Sequence, residues 1–140
     1  SNLILHHYPV SPFAEKIRLI LGHKQLAWKS VFIPMVMPKP DLTALTGGYR
    51  KTPVLQIGAD VYCDTALICD VLEHVQPTPT LYPAHQKGVA RVLAQWADTL
   101  VFPVAMAQAQ TLTGKRTDAA STLRAALAMA PSASPSLRSA

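Results

Sequence analysis

The sequence predicts an α/β domain built in the order β-α-β, a long loop, then β-β-α, with a partial all-helical region behind it. Three observations carry that reading. Short apolar segments have the length of strands, apolar residues recur at helical spacing directly after capping residues, and a proline-rich break falls near residues 76–83. Of the 140 residues, 49% are hydrophobic and 15% charged, apolar enough to bury a core. Residues 3–83 are the expected first domain and 84–130 a partial helical domain. Residues 131–140, all Ser, Ala and Pro apart from Leu137 and Arg138, are expected to be a disordered tail.

Leu3-Ile4-Leu5-His6-His7 is short and apolar and runs into a turn at Pro9, which reads as a buried first strand. Ser11 then offers an N-cap, and Pro12 fits the first helical position, where a missing N–H costs nothing. Phe13, Ile17, Ile20 and Leu21 follow at helical spacing, with Gly22 as the expected stop. Trp28 to Ile33 alternates and is rich in β-formers, a second strand. From Pro34 to Arg50, three prolines and the Gly47-Gly48 pair make a long connection, with one turn of helix expected after Asp41. Pro53 to Ile57 and Val61 to Cys63, joined by Gly58-Ala59-Asp60, read as a hairpin. Asp64 caps a helix through Val75, with Ala66, Leu67, Val71 and Leu72 on one side. Gln76 to Pro83 reads as a linker. Beyond it Val89, Val92, Leu93, Trp96 and Leu100 form a helical stripe for an interface or an internal core, and residues 118–130 suit an alanine-rich helix.

Composition excludes several functions. No apolar run comes near the ~18 residues that a membrane crossing needs, and no leader with a cleavage site is evident. A cytoplasmic protein without a membrane partner is expected. Cys63 and Cys69 have neither a C-x-x-C nor a zinc spacing and are expected to stay reduced. Seven Lys and Arg face six Asp and Glu in residues 1–83, and six face two in residues 84–140. An excess this scattered lacks the basic, aromatic-studded face of a nucleic-acid binder. His6 and His7 point to opposite sides of a strand, and His23, His74 and His85 are isolated, so no metal is expected. Met35 and Met37 read as gap-fillers or substrate-side contacts.

Three segments combine into a chemical pattern. Ser11-Pro12-Phe13 opens a helix, where free backbone N–H groups and a partial positive charge favour an anion. A hydroxyl there can donate to a bound thiolate; lowering a thiol pKa by about two units from about 8.5 takes roughly 2.7 kcal/mol. Read by itself, Ser11 is simply an N-cap. Thr52-Pro53 opens a strand through either a trans or a cis bond, and the cis form leaves the backbone of Thr52 to pair with an extended peptide ligand. Asp64-Thr65 can hold an ammonium and a carboxylate at the next helix start, or simply cap it.

In order and spacing, Tyr8-Pro-Val-Ser-Pro-Phe-Ala-Glu-Lys-Ile-Arg-Leu, Lys51-Thr-Pro-Val-Leu and Tyr62-Cys-Asp-Thr-Ala-Leu-Ile-Cys-Asp-Val-Leu-Glu resemble the N-terminal domain of glutathione S-transferases. Leu81-Tyr82-Pro83 resembles that family's exit into its linker, and the likeness spans about residues 3–83. It implies a thioredoxin-like fold that binds glutathione as co-substrate. Ser11 falls where serine-type members keep the residue that serves the glutathione thiol, with Tyr8 the second candidate. Thr52 and Pro53 fall where the family pairs with the cysteinyl backbone, and Asp64 and Thr65 where it holds the γ-glutamyl end. Lys51, Arg50 or Lys39 would meet the glycyl carboxylate, and each is equally readable as a solvated loop charge. Asp64-Thr65 stands where the family usually has Glu or Gln before Ser, and the helical domain is short.

The resemblance implies a glutathione transferase acting on a small apolar electrophile, commonly as a homodimer. The alternative is a non-catalytic module that holds glutathione or a protein partner. A thiol-disulfide oxidoreductase would need a cysteine where Ser11 stands.

Overall fold

The computed structural model describes residues 2–115 together with 118, 120–122 and 124–125. The chain divides into two units, Ser1–Pro83 and Ala84–Ala140.

In the first unit the elements are β1 (Leu3–His7), α1 (Pro12–His23), β2 (Trp28–Phe32), α2 (Pro40–Thr46), β3 (Val54–Ile57), β4 (Asp60–Cys63) and α3 (Thr65–Val75). The sheet has four strands in the order β2-β1-β3-β4. β1 runs parallel to β2 and antiparallel to β3, and β3 antiparallel to β4. This is the mixed sheet of a thioredoxin-like fold. Alternation along the strands explains the layers. Leu3, Leu5 and Leu55 meet Ile17 and Leu21 of α1 and Ile68 and Leu72 of α3 in one buried cluster. The intervening Val54 packs with Leu42 of α2 and Ile33 in a second cluster.

Two boundaries differ from the sequence reading. Helix α1 passes through Gly22 to His23, and the left-handed residue that turns the chain is Gln25, at φ 54°. The Leu26 N–H bonds the Leu21 carbonyl at 2.9 Å and the Gln25 N–H bonds that of Gly22 at 3.0 Å. Leu21 and Leu26 also share the main cluster, completing a Schellman motif with its apolar contact. The turn expected after Asp41 is a helix of seven residues, closed by Gly47 in the left-handed conformation at φ 67°.

The segment expected to be a linker is fastened down. Lys24, with a fully buried side chain, donates to Glu73 Oε2 at 2.7 Å and to the carbonyls of Gln76 and Pro79 at 2.6 and 2.9 Å. The hydroxyl of Thr80 and the N–H of Leu81 donate to the same carboxylate. Burial alone would raise the Glu73 pKa, but these donors outweigh it and hold the carboxyl at about 2.

In the second unit α4 (Lys87–Trp96) passes through a π-type turn at Ala97–Val101 into α5 (Phe102–Leu112). The wide turn, in which the Phe102 N–H reaches back to Ala97, lies directly before Pro103, whose missing N–H would break a regular helix. The run Lys87–Leu112 is thus one helical stretch of 26 residues, long and apolar enough by length and composition to cross a membrane. Arg91, Gln95 and Asp98 interrupt its apolar residues, so it holds no unbroken apolar run of that length. Val89, Val92, Leu93 and Trp96 of the stripe are exposed. Of the helix expected over 118–130, only Asp118, Ala120, Ser121, Thr122, Arg124 and Ala125 are described, all helical. The expected tail at 131–140 lies outside the described residues.

Candidate active site

Pairing register brings the three segments to one end of the sheet. His6 of β1, Val54 of β3 and Cys63 of β4 share a cross-strand row. The chain leaves β1 at that end toward Ser11, enters β3 there from Thr52-Pro53, and leaves β4 there into Asp64. The starts of α1 and α3 therefore both follow strand ends of this edge, with the entry to β3 between them.

Ser11 is the N-cap of α1, and its Oγ accepts the Ala14 N–H at 3.2 Å. Its residue is 2% exposed, between the exposed Val10 and Pro12. Capping uses a lone pair of the hydroxyl and leaves the proton, the part a thiolate would need. Tyr8 stands half-buried beside it, its carbonyl accepting the Ser11 N–H at 3.2 Å. Its ring packs on the cluster of Ile33, Leu42 and Val54.

The Thr52-Pro53 bond is cis. Thr52 Oγ1 donates to the His6 carbonyl at 3.4 Å, which ties the entry of β3 to the end of β1. Asp64 caps α3, its Oδ1 accepting the Ala66 N–H at 2.8 Å, and it takes φ 75° and ψ 126°. A side-chain-bearing residue rarely adopts a positive φ, and such strain clusters at ligand sites. Asp64 is exposed and Thr65 half-buried.

The three cations separate. Arg50 and Lys51 are exposed. Lys39 is buried, donates to the Arg50 carbonyl at 3.3 Å and lies 5.6 Å over the Tyr8 ring.

A model of the glutathione S-transferase N-terminal domain matches residues 5–80, over half of the chain. The chain belongs to that family. This transferase-family chain is 61% identical to a GST-like protein from Pseudomonas syringae, with a TM-score of 0.72 over 77% of this chain and 39% of that one. Pyrimidodiazepine synthase of Drosophila melanogaster is 32% identical over 85 residues, 58% of this chain and 35% of that protein. A rice GST solved in complex with glutathione is 27% identical, with a TM-score of 0.58 over 70% of this chain and 46% of its own. The chain thus spans under half the length of each of these relatives.

Around these segments stand residues to which the sequence reading gave no part in the site. Tyr49 links the loop before Thr52 to Asp64: burial, and then the Asp64 and Cys63 charges, raise its pKa, while a backbone hydrogen bond from Asp64 acts against them. The aromatic directly after Gly47-Gly48 was the available signal. Burial pushes the Cys63 thiol up, which keeps it protonated and a poor nucleophile. His7 is buried and accepts from Arg18 Nη1 at Nδ1, 2.9 Å away, so its proton sits on Nε2, toward Ser30 Oγ at 2.7 Å. His6 turns instead to Gln56 Oε1 at 2.9 Å.

Proposed function

We propose that this chain binds glutathione and activates its thiol for attack on a small apolar electrophile. The observation that carries the reading is the convergence of two capped helix starts and the entry to β3 on one end of the sheet. In this reading the tripeptide lies extended along Thr52, whose backbone N–H and C=O offer strand-like pairing. Its γ-glutamyl end lies at Asp64 and Thr65, its glycyl carboxylate meets Lys51 or Arg50, and its sulfur lies at the start of α1. Lys39 is the weaker carboxylate partner, since its amine already serves the Arg50 carbonyl.

The energetics require Ser11 and the helix together. A helix terminus contributes about 0.3–1 kcal/mol to an exposed anion, and a hydrogen bond to a charged group about 1.5–3 kcal/mol. Their sum matches the roughly 2.7 kcal/mol of a thiol pKa lowered by about two units, whereas the helix alone falls short. The relative solved with glutathione supports the ligand. No metal enters this chemistry. Reduced Cys63 and Cys69 suit the cytoplasm, and a homodimer belongs to the same proposal.

Ser11→Ala tests the reading: turnover of reactive aryl and alkyl electrophiles should fall at least about tenfold while glutathione still binds. Unchanged turnover would remove Ser11 from the mechanism. The near-complete burial of Ser11 favours a second reading, a module that holds glutathione or a protein partner and catalyses nothing. Glutathione binding by calorimetry, with no turnover across the electrophile panel, would select the module.

A further inference from the structure

The loop carrying Ser11 is held by a single guanidinium. Arg18 Nη1 donates to His7 Nδ1 at 2.9 Å, and Nη2 donates to the Pro9 carbonyl at 2.9 Å. Nε donates to Glu15 Oε2 at 2.7 Å, and Nη2 reaches the same oxygen. One side chain thus joins the last residue of β1, the middle of the loop and the first turn of α1. Ser11 lies inside that frame, its N–H on the Tyr8 carbonyl and its carbonyl accepting from the Glu15 N–H at 2.9 Å.

An ordinary helix-surface pair would explain Arg18 and Glu15, which stand three residues apart. It does not explain the two bonds that leave the helix. His7 is itself held by Ser30 Oγ and by edge contacts with the Trp28 and Phe32 rings, so Arg18 bonds a ring that has other partners. Burial first, and then the charge of Arg18, lower the His7 pKa, which keeps Nδ1 free to accept at neutral pH.

From this frame we infer that Arg18 is a positioning residue, setting where the Ser11 hydroxyl sits relative to a bound thiol. The inference rests on the thiol-activating reading above. It assigns Arg18 no contact with the ligand; its effect passes through Pro9 and Glu15 to the backbone on either side of Ser11. Lysine cannot replace it, because a point charge on a flexible stem cannot serve three acceptors held in different directions.

The test compares the wild-type chain with Arg18→Lys, Glu15→Gln and Ser11→Ala. For each, glutathione affinity is measured by calorimetry and the pKa of the bound thiol by ultraviolet titration of the thiolate, with circular dichroism reporting folding. Arg18→Lys should raise the bound-thiol pKa by about one unit, a tenfold loss of thiolate at pH well below both values, while affinity changes less than about threefold. Glu15→Gln, at an exposed carboxylate, should shift it in the same direction by less, and it serves if Arg18→Lys does not fold. A bound-thiol pKa equal to wild type in both variants, with Ser11→Ala shifted, overturns the positioning role and leaves the thiol-activating reading standing. A wild type that fails to lower the thiol pKa overturns both.

Discussion

At the scale of single residues, the site puts side chains to double use. Ser11 caps α1 with its oxygen, and the proposed chemistry employs its proton. Asp64 caps α3 while holding a positive φ of 75°. The two demands on Asp64 can be separated by substitution. Glycine at an N-cap costs only a few tenths of a kcal/mol, and at a positive φ it relieves about 1 kcal/mol or more of strain. Asp64→Gly should therefore leave thermal stability unchanged or raise it, and weaken glutathione affinity about tenfold by calorimetry if the carboxylate holds the ligand's ammonium. Full affinity in that variant would reduce Asp64 to a cap. Neither Ser11's burial nor the strain at Asp64 was legible in the sequence, because both depend on where neighbouring segments pack. The residue types at both positions were.

Among elements, the capped starts of α1 and α3 and the hairpin β3–β4 were readable, since local chemistry decides them. Sequence reasoning missed where contacts beyond a single residue's preference decide, over a few residues at Gly22 and over dozens at residues 76–83. Gly22 looked like a helix stop, but Leu26 folds back on Leu21 and moves the turn to Gln25. Residues 76–83 looked like a linker, and the Lys24–Glu73 pair clamps them to the ends of α1 and α3. Glu73→Gln removes the counter-charge of a fully buried ammonium and should cost about 3 kcal/mol in denaturant unfolding at neutral pH. The folded carboxyl, at about 2, lies below an ordinary Glu, so the unfolded chain takes up the proton first. Its contribution is whole above the unfolded value near pH ~4.3 and is lost as pH falls toward 2. Wild type and Glu73→Gln should accordingly converge in stability as the medium is acidified. A gap that stays constant with pH would mean that the carboxylate's charge is not what holds the segment.

For the whole molecule, connectivity rather than any one motif makes the candidate site. The sheet order β2-β1-β3-β4 sets the end of β1, the start of β3 and the end of β4 in one row. That row sets the segments that carry residues 11, 52–53 and 64–65, far apart in sequence, at one end of the sheet. The order of the elements predicted the thioredoxin-like fold, but the bonds of Arg18 to His7, Pro9 and Glu15 emerged only from the packing. The second unit presents the opposite case. Its stripe of Val89, Val92, Leu93 and Trp96 was plain in the sequence, yet these four side chains are exposed. The central claim is that one tripeptide engages all three segments at once. Amide chemical-shift mapping on titration with reduced glutathione tests it most directly. The account predicts that the amides of Ser11, Thr52, Asp64 and Thr65 shift together along one saturation curve with one Kd. Shifts confined to one of these segments, or following separate curves, would contradict it.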